Sequence, residues 1–142
     1  MNCIFCKIAN REIDALTIHE DASTVAFLDI FPHAAGHTVV IPRAHRETLA
    51  DLSEEELVTL VRAARNAEDL LERALHPDGF TVGINQGKAA GQAVPHLHVH
   101  ILPRFENDGG GSVHSIVNAP SKEPLAELRE KIVKSKQEKM VG

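Results

Sequence analysis

Over its first 50 residues the chain changes between apolar and polar positions in short runs. Residues Thr17–Glu20, 25–30 and 37–41 are brief and largely β-branched, and turn formers such as Asp14, Gly36 and Pro42 bound them. This pattern predicts three strands joined by turns. Residues 4–10, ahead of them, read as a short helical turn or an irregular arm. The period then lengthens. Leu57, Leu60, Val61, Ala64, Ala67, Leu71 and Leu75 recur every three or four positions, which predicts a helix over Glu54–Leu75 with one apolar stripe. Ser53 and Glu56 form a capping box at its start, and His76-Pro77-Asp78-Gly79 stops it. A fourth strand is expected over residues 80–85, where Phe80, Val82 and Ile84 alternate with smaller or polar neighbours. A small, Gly-rich loop follows at 86–93, and residues 108–112 (DGGGS) read as a flexible link. A last helix is expected over 124–136, with Leu125, Leu128 and Ile132 on one face.

Residues 96–102 (HLHVHIL) alternate most strictly. Flanking prolines 95 and 103 and the β-branched Val99 and Ile101 favour a strand. On a strand His96, His98 and His100 share one face while Leu97, Val99 and Ile101 point to the core. At ~3.3 Å rise per residue, His96 and His100 stand roughly 13 Å apart, too far for all three to ligate one ion. The three imidazoles therefore divide their work. His19, His33, His76 and His114, each isolated in the sequence, read as ordinary structural or surface residues.

Composition narrows the function. A length of 142 residues with 43% hydrophobic side chains suits one domain with its own core. The net charge of −5 and the lack of Trp and Tyr speak against nucleic acid as a partner. No apolar run is long enough to span a membrane and the first residues lack a signal-peptide pattern, so the expected location is cytoplasmic. A neutral imidazole is a competent nucleophile toward phosphorus, and backbone N–H groups of a Gly-rich loop can steady phosphate oxygens. Cys3-Ile4-Phe5-Cys6 is a CxxC, open to three readings: a redox dithiol, half of a zinc site, or two unrelated thiols.

The segment HLHVHIL resembles the His-x-His-x-His signature of the histidine triad (HIT) superfamily of nucleotide hydrolases and transferases. Similarity runs from Cys3 to about Arg104. It includes FLDI at 27–30, GHTVVIPRAH at 36–45 and NQGKAAGQAVPHLHVHILPR at 85–104. It looks closest to the bacterial and archaeal members of the branch named for histidine-triad nucleotide-binding proteins. The resemblance implies an α+β fold: about five antiparallel strands, the long helix packed on one face, and a C-terminal helix. Residues 1–142 form one HIT domain on this view, with 1–104 carrying the family core and 105–142 a link and helix.

By the same resemblance, His98 attacks the α-phosphorus of a nucleotide to give a nucleotidyl-histidine, and His100 hydrogen-bonds the phosphate or the leaving atom. Asp29 accepts the ribose hydroxyls and Ile30 lines the base pocket, which tolerates either purine. Asn85, Gln92 and the backbone near Ala93 and Val94 form the phosphate-side loop. Ala93 departs from many eukaryotic relatives, which carry a hydroxyl there that can help the leaving group. Zinc-bearing members use the positions of Cys3, Cys6, His45 and His96, which gives the CxxC a structural zinc. His37 is a further candidate for a hydrogen bond within the triad. A homodimer is implied, its C-terminal segments reaching the partner's site. Nucleoside phosphoramidates and adenylated compounds are the implied substrates. The alternatives are dinucleoside polyphosphates, or a zinc-stabilised nucleotide-binding regulatory module with little turnover.

Overall fold

The computed structural model describes residues 2–141, with side chains to residue 136. Two compact units make up the chain, Met1–Gly110 and Gly111–Gly142. The first unit holds helix α1 (Ile4–Ala9), strands β1 (Thr17–Glu20), β2 (Thr24–Leu28) and β3 (Thr38–Pro42), helix α2 (Glu54–Leu75), and strands β4 (Gly79–Gly83) and β5 (Val99–Arg104). The strands form one antiparallel sheet in the order β1-β2-β3-β5-β4, the α+β architecture expected from the sequence.

Alternation along the central strands sorts side chains into two cores, one on each face. Ala26, Val40, Leu97, Val99 and Ile101 meet Leu60, Ala63, Ala64, Ala67 and Leu71 of α2. The small residues on α2 let the helix lie close to the sheet. On the opposite face Val25, Phe27, Val39 and Ile41 pack with Ala9, Phe5 and Ile8 of α1. That second core is thin because α1 is only six residues long. Part of this face is left as a cleft, with His98 and His100 in its wall.

Helix α2 runs over the expected residues. Ser53 accepts from the Glu56 N–H at 3.1 Å, and His76 ends the helix in the left-handed conformation (φ 51°) that usually falls to glycine. Gly36, in the turn before β3, has φ +82°, and a Cβ there would stand 2.5 Å from Leu75 Cδ1. Only glycine lets the turn pass so close to the end of α2.

β1 keeps its expected bounds, β2 to β5 each shift by one to three residues, and three of these shifts bear on the site. β2 stops at Leu28, so Asp29 and Ile30 lie past its end, where the Asp29 N–H still donates to the His37 carbonyl at 2.9 Å. β4 stops at Gly83, which frees Asn85. β5 begins at Val99, because the Leu97 N–H donates to the Arg46 carbonyl at 2.6 Å instead of joining a ladder. His96 to His98 thus enter the sheet as extended chain held by the turn that follows β3. In the second unit, α3 spans Leu125–Val141, and its expected stripe residues Leu125 and Ile132 are exposed.

Candidate active site and metal centre

His96 and His98 are two residues apart yet belong to different clusters. His96 is fully buried. Its Nε2–H donates to the Pro42 carbonyl at 2.8 Å, since a carbonyl can only accept. That fixes the tautomer and leaves the Nδ1 lone pair facing Cys3 Sγ and Cys6 Sγ, both at 3.5 Å. His45, on the turn after β3, brings its Nδ1 to 3.3 Å from Cys6 Sγ. Cys3 caps α1, its sulfur accepting from the Cys6 N–H at 3.4 Å. An Arg46 to Glu56 ion pair at 3.0 Å ties the His45 turn to the first turn of α2.

The four ligand atoms of Cys3, Cys6, His45 and His96 lie within 4.8 Å of one another. Tetrahedral zinc with Zn–S ≈ 2.3 Å and Zn–N ≈ 2.0–2.1 Å sets sulfur and nitrogen about 3.5 Å apart. The observed spacings of 3.3–3.5 Å match it without rearrangement. The Pro42 carbonyl behind His96 is the outer partner such a ligand needs. Burial and the adjacent Cys3 push the Cys6 thiol up from its ordinary value, and burial pushes the His96 imidazolium down. The residues present fit zinc.

The second cluster opens on a cleft of about 500 Å³. His98 lies in its wall, 6% exposed, against the edge of Phe5 at 5.1 Å between ring centroids. Its Nδ1–H donates to the His96 carbonyl at 2.8 Å, which leaves Nε2 with the free lone pair. A chain of hydrogen bonds sets His100. The His33 N–H donates to His37 Nδ1 at 3.2 Å, so the His37 proton sits on Nε2. That Nε2–H donates to His100 Nδ1 at 2.9 Å, so the His100 proton sits on Nε2 as well. Asp29 Oδ2 stands 3.6 Å from His37 Nε2, and its Oδ1 accepts from the Phe31 N–H at 2.8 Å.

Burial, with the neighbouring His98 and His37, pushes His100 down to about 4. Burial lowers His37 too, while the Asp29 carboxylate opposes the shift. Both rings are neutral at pH 7. Asp29, His37 and His100 also group closely enough to suggest a metal site. The tautomers argue against one. Metal on His37 Nε2 would move its proton to Nδ1, against the His33 N–H.

Asp29, Ile30, Asn85, Ala93, Val94, His98 and His100 all line this cleft. Gln92 is the exception among the expected nucleotide contacts. Its Oε1 accepts from the Gly87 N–H at 2.8 Å and its Nε2 donates to the Glu47 carbonyl at 3.1 Å. The amide braces the Gly-rich loop instead of entering the cleft. Sequence reasoning missed the apolar wall of Phe5, Ile8 and Phe27, which periodicity could not tell from ordinary core. His33, which reads from the sequence as an ordinary structural or surface residue, lines the cleft and orients His37 through its backbone.

The family model described as the HIT domain matches residues 10–107. This chain belongs to the HIT family. Among curated relatives, an uncharacterized HIT-like protein of Methanocaldococcus jannaschii is 43% identical over 75% of this chain and 82% of its own. An adenosine 5'-monophosphoramidase of Schizosaccharomyces pombe is 36% identical over 78% of this chain and 80% of its own. Among solved structures, a HIT family protein from Bacillus anthracis superposes with a TM-score of 0.83 at 34% identity, covering 97% of this chain and 96% of that one. A zinc-bound histidine triad family protein from Mycobacterium smegmatis gives 0.71 at 33% identity, with 87% and 85% covered. No helix among the described residues of this HIT protein is long and apolar enough to cross a membrane.

Proposed function

We propose that this HIT protein is a nucleotide-binding hydrolase that works through a nucleotidyl-histidine on His98, with nucleoside phosphoramidates or adenylated compounds as substrates. One observation carries the reading: the His98 Nδ1–H bond to the His96 carbonyl, which sets the tautomer of the neutral ring so that the Nε2 lone pair is the free one, in the wall of a nucleotide-sized cleft. Membership in the HIT family and the phosphoramidase of fission yeast support it.

In this mechanism His98 Nε2 bonds to the α-phosphorus as the bond from phosphorus to the leaving amine breaks. The amine takes the electron pair and a solvent proton. As His98 gains positive charge, its bond to the His96 carbonyl becomes charge-assisted and strengthens. His100 donates Nε2–H to a phosphoryl oxygen or to the departing atom, stabilising charge where it grows. Asp29 accepts the ribose hydroxyls, and the main chain near Ala93 and Val94 steadies the phosphate. Water then displaces His98, releasing the nucleoside monophosphate. Cys3, Cys6, His45 and His96 would hold zinc, whose part would be structural, tying the N-terminal arm to the triad.

Rapid quenching with adenosine 5'-phosphoramidate, followed by mass analysis, tests the reading. An adenylyl adduct on a peptide containing His98, absent from His98→Ala along with turnover, is expected. Turnover that survives His98→Ala would overturn it.

A further inference from the structure

We propose that Asp14 makes the cleft prefer guanine over adenine, by accepting hydrogen bonds from the edge of the base. The inference rests on the nucleotide reading above and deepens it.

Sheet order decides where Asp14 stands. The Leu28 N–H donates to the Leu16 carbonyl at 2.9 Å, so the segment leading into β1 runs beside the end of β2. From β1 across β2 and β3 to β5 is three strand spacings, roughly 14 Å at ~4.8 Å each. His98 and His100 lie at the β5 end of the cleft, Asp29 follows β2, and Asp14 precedes β1. A nucleotide with its α-phosphorus at His98 and its ribose at Asp29 therefore carries its base to the Asp14 end.

That end is lined by Phe5, Ile8, Ile13, Ala15, Leu16 and Phe27, which grip the faces of a purine but cannot read its edge. Asp14 is the one polar side chain lining it, is exposed, and has no hydrogen bond or ion pair among the described residues. A carboxylate only accepts. Guanine presents N1–H and N2–H side by side, two donors for two carboxylate oxygens. Adenine presents N6–H beside the N1 lone pair, which meets a carboxylate oxygen with repulsion. Hypoxanthine offers a single donor.

The test is calorimetric titration of GMP, IMP and AMP into the full chain and into Asp14→Ala and Asp14→Asn. The wild type is expected to bind GMP roughly tenfold tighter than AMP, with IMP between. The ratio should fall to near one in Asp14→Ala. It should reverse in Asp14→Asn, because an amide offers the acceptor and donor that match adenine N6–H and N1. Equal GMP and AMP affinities in the wild type, or a GMP preference that persists in Asp14→Ala, would overturn the assignment. If both nucleotides bind equally and His98 still forms an adduct, the base assignment alone fails. If neither nucleotide binds, the nucleotide reading falls and takes this inference with it.

Discussion

At the scale of single residues, proton positions matter more than proximity. His98 and His100 are close, 4.9 Å between centroids, yet carry their protons on opposite nitrogens. Backbone atoms at both ends of the network set that difference. Replacing His37 with Phe removes the donor to His100 Nδ1 and lets its proton occupy either nitrogen. We expect kcat to fall about 10–100-fold with nucleotide Kd nearly unchanged, as for lost transition-state stabilisation. Nitrogen NMR of His100 should show mixed tautomers, and a single unchanged tautomer would end the positioning role. Asp29→Ala should weaken a ribonucleotide roughly tenfold or more while a 2′-deoxy analogue loses less, on the proposal that the carboxylate partners the diol. Equal losses in competition titrations would remove Asp29 from the ribose. The sequence marked these residues as candidates but did not show how they point. Gln92 is polar and sits in the right loop, yet its amide is spent on Gly87 and Glu47. The part His33 plays runs through its main chain, which no side-chain pattern reports.

At the scale of elements, legibility followed local signals. Helix α2 could be read end to end because its cap, stripe and stop are all written within it. The start of β5 could not, because alternation continues through 96–98 while the hydrogen bonds that define a ladder go to Arg46. Helix α1 was ambiguous for a related reason. Six residues do not sustain a helix alone, and its anchors are distant: Arg43 donates to the Ala9 carbonyl, and the Cys3 and Cys6 sulfurs meet His45 and His96. Cys3→Ser with Cys6→Ser should therefore abolish zinc binding and lower Tm by several degrees, before activity is lost. Elemental analysis and thermal melts check this. Full zinc occupancy in the double variant would place the metal elsewhere.

At the scale of the whole molecule, the buried imidazoles make stability depend on pH. His100 titrates near 4 when folded but near ~6.5 when unfolded, so the unfolded chain binds the extra proton between those values. Stability contributed by keeping His100 neutral is complete above pH ~6.5 and lost as pH falls toward 4, up to about 3 kcal/mol. The lowered His37 acts in the same direction. Melts of the double Cys variant between pH 7.5 and 4.5 should show this decline without interference from metal. Adding His100→Gln should flatten it, and an unflattened curve would place the acid sensitivity elsewhere. Assembly belongs to this scale too. β4 is an edge strand with Val82 42% exposed, and Val58 and Val61 of α2 expose 54% and 67%. We expect a second copy to cover them. Sedimentation should give a dimer for the wild type and a monomer for Val61→Glu, and a monomeric wild type would count against it.

One contact bears on how the chain tolerates change. The partner of His98 Nδ1 is the main-chain oxygen of residue 96, and the side chain of that same residue faces the two cysteines. Any amino acid at 96 supplies the oxygen, while few supply a metal ligand. A lineage could therefore lose the cysteines and the imidazole at 96 one substitution at a time and keep the His98 ring oriented, provided the backbone stayed in place. It could not lose or gain a single residue between 96 and 98. That would turn the His98 imidazole away from the cleft and toward α2, where no solvent or substrate reaches.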